Sequence, residues 1–247
     1  MPLLNNSSLE QAALTTNAYG YSATRLDTLG AAEYTLVTVI CDVSGSVSPF
    51  KRELENTLQS IVQACRQSPR ADNLMLRLVA FDDSLREVHG FKLLEHCHLN
   101  DYTGVLKIGG TTALYDAAEN AVCAATDYAV RLGAGDFAAN AIVFIVTDGM
   151  DNASTLTARA VQNALSSAVT SESLESLVSV LIGVNVSDPT VGGYLQDFRC
   201  DAGFTQYVEI EKADAKTLAK LADFVSRSIS AQSQSLGTGG PSQSLTF

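Results

Sequence analysis

Apolar runs of strand length alternate with segments of helical period along most of this chain, and that rhythm restricts the fold more than any single residue does. The run 34–41 is rich in Thr, Val and Ile and carries no polar alternation, as expected of a central strand covered on both faces. Comparable runs recur at 74–81, 141–146 and 177–184, with a short edge strand expected at 205–210. Between the first two, Leu54, Leu58, Ile61, Val62 and Cys65 repeat at helical spacing, after a Ser48-Pro49 start and before a Ser68-Pro69 stop. Further helices are expected over 112–132, 156–170, about 194–200 and 213–229. The fold class is therefore α/β: a Rossmann-like, doubly wound, mostly parallel central sheet with helices on both faces. One strand should break the pattern. Segment 85–94 follows its predecessor across only the turn Asp82-Asp83-Ser84, which makes it the expected antiparallel edge strand.

With 247 residues and nearly half of them apolar, the chain can bury a full core as one domain, placed at 31–230. Residues 1–30 read as an N-terminal extension. Residues 231–247 are dominated by Ser, Gly and Gln, which bury too little apolar surface to offset chain entropy, so they read as a flexible tail. Its last apolar residues, Leu245 and Phe247, read as a frayed terminus, with a docking end as the alternative.

A formal charge of -11 opposes nucleic-acid backbones and anionic membrane surfaces. No run has membrane-spanning length, and the polar N-terminus lacks the apolar core of a secretory signal. The five cysteines, Cys41, Cys65, Cys97, Cys123 and Cys200, are odd in number and lack Cys-x-x-Cys spacing. Buried thiols in a reducing compartment follow, so the expected location is cytoplasmic.

Five oxygen-bearing residues sit at the ends of apolar runs or at glycine turns: Asp42, Ser44, Ser46, Thr112 and Asp148. Asp42 and Asp148 each follow a strand, so both carboxylates should emerge from the same end of the sheet, where open α/β folds bind ligands. Asp42, Ser44 and Ser46 occupy alternate positions, and one extended turn can aim all three at a point. All-oxygen donors select a hard cation, Mg2+ first, with Mn2+ or Ca2+ as alternatives. Thr111 is a possible substitute for Thr112. Asp116 is read as complementing its own helix dipole and Asp151 as capping the following turn.

Asp42-x-Ser44-x-Ser46, Thr112 before Ala113-Leu114-Tyr115, and Thr147-Asp148-Gly149 together resemble the metal ion-dependent adhesion site of von Willebrand factor A domains. The resemblance spans about 34–229 and is similar to stand-alone bacterial members. It implies Mg2+ held directly by Ser44, Ser46 and, in one state, Thr112, with Asp42 and Asp148 acting largely from behind them. It implies a non-catalytic adaptor that grips the Asp or Glu of a protein partner, in a family that often works beside AAA+ ATPases of the MoxR type or in regulatory and assembly complexes.

Three other readings compete with this one. A Mg2+-dependent phosphoryl-transfer hydrolase of haloacid dehalogenase type would want Asp at position 44 and a Lys between Thr112 and Asp148, and neither is present. His89, His96 and His98, with Cys97 and Glu95, could form a transition-metal site, against the plainer reading of a surface strand or loop. A structural scaffold that keeps the motif without using an ion is the third.

Overall fold

The fold is described from a computed structural model, for residues 9–236 and 245–247. In chain order the elements are β1 (Leu9–Ala12), β2 (Tyr21–Thr24), β3 (Glu33–Asp42), α1 (Lys51–Arg66), β4 (Leu74–Phe81), β5 (Leu85–Leu93), α2 (Leu114–Ala134), β6 (Ala138–Thr147), α3 (Ala158–Thr170), β7 (Leu177–Val184), α4 (Pro189–Ala202), β8 (Gln206–Ile210) and α5 (Ala215–Ser235). The strands form one sheet in the order β1-β2-β5-β4-β3-β6-β7-β8. Strands β4, β3, β6, β7 and β8 are mutually parallel, and β5 is antiparallel to β4. This is the α/β, Rossmann-like architecture that the alternation of runs implies.

Every residue of β3 after Glu33 is buried. Alternation then divides the strand between two cores. Val37, Val39 and Cys41 pack with Leu54, Leu58 and Ile61 of α1 and Leu221 and Phe224 of α5. Ile40 packs on the opposite face with Leu114, Ala117 and Ala121 of α2. Full burial of each such aliphatic side chain stabilises the fold by roughly 1.5–3 kcal/mol, which is why a strand this apolar has no stable place at an edge. The chain leaves β3 through α1 to reach β4 on one side, and enters β6 on the other side from α2. The winding direction thus reverses at β3, and the C-terminal ends of β3 and β6 are neighbours, with Cys41 beside Val146.

Both ends of the chain differ from what the sequence implies. Strand β5 is antiparallel but is not an edge: β2 lies beside it, with Ala23 opposite Phe91, and β1 forms the edge outside β2. The expected N-terminal extension therefore contributes a hairpin to the sheet from residue 9 onward. Residues 1–8 of that extension lie outside the described residues. At the other end, the boundary drawn after 230 falls inside α5, which continues to Ser235. Its last turns are polar but buried, because Asn140 Nδ2 donates to Gln232 O at 2.6 Å and Gln232 Nε2 donates to Ala141 O at 3.1 Å. Of the expected flexible tail, 237–244 lie outside the described residues. Leu245 packs against the α1–α5 core and Phe247 meets the Phe224 ring edge-on at 5.7 Å, so the last residues are not the frayed terminus expected.

Close approach of β2 to β5 depends on Gly90. A Cβ at this position would lie 2.0 Å from Ser22 O and 2.4 Å from Ser22 C, both backbone atoms that cannot swing aside. Gly90→Ala is expected to lift the hairpin off β5 and destabilise the protein by about 2–4 kcal/mol, by overpacking at a buried backbone contact. Urea denaturation together with amide exchange at Tyr21–Thr24 checks this. A melt unchanged within about 0.5 kcal/mol would mean the contact is not tight.

Candidate metal centre

Asp42 ends β3 almost wholly buried, at 1% exposure. One carboxylate oxygen, Oδ1, accepts the Ser44 backbone N–H at 2.8 Å, which folds the chain into the turn that follows the strand. The other, Oδ2, accepts the Thr147 hydroxyl at 2.6 Å from the end of neighbouring β6. Ser44 Oγ stands 3.2 Å from Ser46 Oγ, and Ser46 Oγ donates to Asp148 Oδ1 at 2.9 Å. Four of the five expected residues therefore form one connected cluster across the β3 and β6 ends, although Asp148 is 106 positions beyond Asp42 in sequence.

The fifth arrives differently. Thr112, buried at 5% exposure, is held by its backbone: its N–H donates to Asn152 Oδ1 at 2.8 Å, and its carbonyl accepts from Asn152 N at 2.9 Å and Ala153 N at 3.2 Å. Its loop is tied to the others by Gly109 N donating to Val43 O at 2.9 Å and Ala113 N donating to Asp82 O at 2.7 Å. Gly110 allows this at φ +72°, a left-handed conformation, where a Cβ would press on Asp82 at 2.9 Å. Thr112 thus lies in a loop fixed to both acidic turns, but its hydroxyl is not part of the hydrogen-bonded cluster. Thr111 is exposed.

Asp116 and Asp151 act across loops rather than locally. The Asp116 carboxylate accepts Thr155 N at 3.1 Å and Leu156 N at 2.8 Å, anchoring the segment after Asp148. Asp151 in turn accepts Tyr115 N at 3.3 Å at the start of α2, and Ser154 Oγ, close to Asp151 Oδ1, accepts the same N–H at 3.0 Å. Three residues that position the cluster were missed from sequence: Thr147, Asn152 and Asp82. For Thr147 the signal was present, since Thr-Asp-Gly places a hydroxyl on the last residue of the strand.

The two cluster acids are electrostatically unfavourable as they stand. Burial pushes the Asp148 carboxyl up to about 6, with the Asp42 charge adding to the effect. Burial also raises Asp42, against the lowering influence of its hydrogen bonds from Ser44 and Thr147. Among the described residues neither acid pairs with Lys or Arg. A buried acid, Asp42, beside a half-buried one, Asp148, with hydroxyls bonded to both and no Lys or Arg paired to either among the described residues, makes a donor set that fits a small hard cation.

Raised carboxyl values fix the sign of a pH effect. The folded state holds the Asp148 proton more tightly than the unfolded chain does, so this group favours folding at acid pH. That contribution disappears as pH climbs from the ordinary carboxylate value through about 6. In metal-free buffer Asp148→Asn is expected to raise stability at pH 7.5 by about 1–3 kcal/mol and to change it little at pH 4. Urea titrations at the two pH values test this, and equal effects at both would contradict it.

The histidines form no second centre. His89 is fully buried in β5, not on a surface strand, with Nδ1 2.9 Å from Gly90 O and Nε2 3.0 Å from Tyr102 Oη. Burial, then Lys92, holds its ring down to about 3, so it is neutral at ordinary pH. Among the described residues no three His, Cys, Asp or Glu side chains come together as metal ligands. The hydroxyl-rich cluster contains only two such side chains, Asp42 and Asp148.

No family model matches the chain, and no curated protein is significantly similar to it. Solved structures do share its fold. The PilB minor pilin from Streptococcus sanguinis is similar at 16% identity and TM-score 0.58, over 88% of this chain and 66% of that one. The pilus adhesin SpaC from Lactobacillus rhamnosus GG is similar at 11% identity and TM-score 0.61, over 90% of this chain and 33% of that one. Proximal thread matrix protein 1 from the mussel byssus is similar at 21% identity and TM-score 0.53, over 82% of this chain and 47% of that one. It has also been solved with a zinc-occupied MIDAS motif, in a structure similar at 20% identity and TM-score 0.51. The chain spans between a third and two thirds of the length of these proteins. Among the described residues no helix is long and apolar enough to cross a membrane.

Proposed function

We propose that the chain is a metal-dependent protein-binding module of the von Willebrand factor A type. In this reading Asp42, Ser44, Ser46, Thr112 and Asp148 hold a Mg2+ ion, and the exposed side of that ion receives an Asp or Glu of a partner protein. The observation that carries the reading is the hydrogen-bonded cluster of Asp42, Ser44, Ser46 and Asp148, whose two acids have no Lys or Arg partner among the described residues. The zinc-occupied MIDAS motif of the mussel protein supports a divalent ion at such a site, and the adhesin among the similar folds supports a role in binding.

Each residue has a part in this scheme. Asp42 orients Ser44 through its backbone and, with Thr147, fixes the β3 end against the β6 end. Ser46 and Asp148 join the turn after β3 to the turn after β6 by a hydrogen bond of 2.9 Å. Asn152 holds the Thr112 loop through the Thr112 backbone. When bound, the ion supplies positive charge that hydroxyl ligands neutralise only weakly, which favours capture of an external carboxylate. The exposed position of Ser46 leaves that side accessible. No catalytic step belongs to the proposal. Five free cysteines, three of them buried, accord with a reducing compartment, and the proposed location is the cytoplasm.

Affinity capture from a native lysate, with Mg2+ and with EDTA, tests the function. A partner retained with Mg2+, released by EDTA and recovered on adding Mg2+ back is the expected result. Partners indifferent to chelation would reject the module as described.

A further inference from the structure

Two tyrosines join the loops of the metal centre to α4. Tyr115 lies in the first turn of α2, three residues after Thr112, and Tyr194 lies in the second turn of α4. Their hydroxyls are hydrogen-bonded to each other, and Tyr194 Oη also accepts the Asp151 N–H at 3.3 Å. Asp151 belongs to the turn that leaves β6, three residues after Asp148. Tyr115 returns to that turn by its backbone, whose N–H lies 3.3 Å from Asp151 Oδ1 and 3.0 Å from Ser154 Oγ. The contacts therefore close a ring, from Asp151 N through Tyr194 Oη to Tyr115 Oη and from Tyr115 N back to Asp151 Oδ1.

The rings are seated separately from this. Both tyrosines pack on the core face that holds Leu195 and Phe198 of α4 and Leu114 of α2, and the Tyr115 ring centre is 4.9 Å from that of Phe198. A phenylalanine at position 194 would fill the same space, so packing alone gives the hydroxyl no purpose. A phenolic oxygen has one proton to donate and lone pairs to accept with. Asp151 takes one lone pair, and Tyr115 takes either the proton or a second lone pair. Both partners stand on segments that carry proposed ligands, Asp148 on one and Thr112 on the other. Asn152 already clamps those segments to each other through the Thr112 backbone. Tyr194 ties the clamped pair to a helix that supplies no proposed ligand.

We infer that Tyr194 is a positioning residue of the metal centre: its hydroxyl fixes the turn after β6 and the start of α2 so that Asp148 and Thr112 are in place before an ion arrives. The inference rests on the proposed Mg2+ site and extends that site to α4. Groups held in their bound arrangement beforehand pay less ordering entropy on binding, so losing the hydroxyl should weaken the ion's affinity by about the worth of one hydrogen bond.

Calorimetric titration of the full chain with Mg2+, for wild type, Tyr194→Phe and Tyr207→Phe, tests this beside urea melts of each. Tyr194→Phe is expected to bind Mg2+ about 3- to 10-fold more weakly. Tyr207→Phe is the control, because the Tyr207 hydroxyl donates to Glu209 Oε2 at 3.1 Å within β8, and it is expected to bind within about twofold of wild type. In the wild-type chain labelled with 13C at the tyrosine Cζ, Mg2+ should shift the Tyr194 and Tyr115 signals along the same saturation curve as the heat. A hydroxyl that only steadies α4 would lower the urea midpoint and leave both the Mg2+ affinity and these shifts untouched. Wild type that binds no Mg2+ would reject the metal centre and this inference with it. Equal Mg2+ affinity in wild type and Tyr194→Phe, or saturation of wild type without a shift at Tyr194, would overturn the inference alone.

Discussion

Asp42→Asn is expected to weaken Mg2+ binding by at least about 100-fold, equivalent to about 2.7 kcal/mol, while the protein stays folded. The substitution keeps the size and one acceptor oxygen, so the Ser44 N–H at 2.8 Å retains a partner. It removes a buried negative charge whose carboxyl is already raised by desolvation. Metal-free stability at pH 7.5 should therefore hold or increase even as the ion site fails. Ser44→Ala tests a different part of the same cluster, since it leaves both acids in place but removes the oxygen 3.2 Å from Ser46 Oγ. Calorimetric titration with Mg2+, paired with urea melts of each variant, separates lost binding from lost fold. Wild-type Mg2+ affinity in both variants would show that the cluster is not the site.

Glu87→Ala should produce the largest loss of stability. Arg77 is 1% exposed within the sheet, and its charge is answered by Glu87 at 2.8 Å. Removing one partner of a buried pair strands the other charge in low dielectric, which typically costs about 3–5 kcal/mol. The same carboxylate holds Ser22, so β2 should loosen with it. Replacing both members, as in Arg77→Met with Glu87→Leu, is expected to recover most of that loss, because well-packed apolar side chains substitute for a buried ion pair at little cost. Urea denaturation of the single and double variants checks both statements. A single variant within about 1 kcal/mol of wild type would contradict the buried-charge argument.

The central sheet was legible because β3, β4, β6 and β7 are almost uninterrupted apolar runs, and such a run has few places to go other than the middle of a parallel sheet. The acidic turns were legible for a related reason: a polar cluster directly after such a run must sit at the sheet's C-terminal rim. The hairpin was not. Leu9–Ala12 and Tyr21–Thr24 are four residues each, too short to carry a periodic signal, and they persist through contacts such as Tyr21 against Phe91 and Tyr128. The end of α5 was hidden by composition. Ser226, Ser228, Gln232 and Ser233 look solvent-facing in sequence, yet they are buried, and of these Gln232 and Ser233 are held by partners distant along the chain. Thr147 and Asn152 were missed at the site because their roles arise only when the turns after β3 and β6 and the Thr112 loop are assembled.

Crystals grown with Mn2+ and measured near the manganese absorption edge address the central claim most directly. One anomalous peak within coordination distance, about 2.1 Å, of Ser44 Oγ and Ser46 Oγ, with Asp42 and Asp148 close behind, is the expected result. A peak elsewhere on the protein, or none at saturating Mn2+, would contradict it.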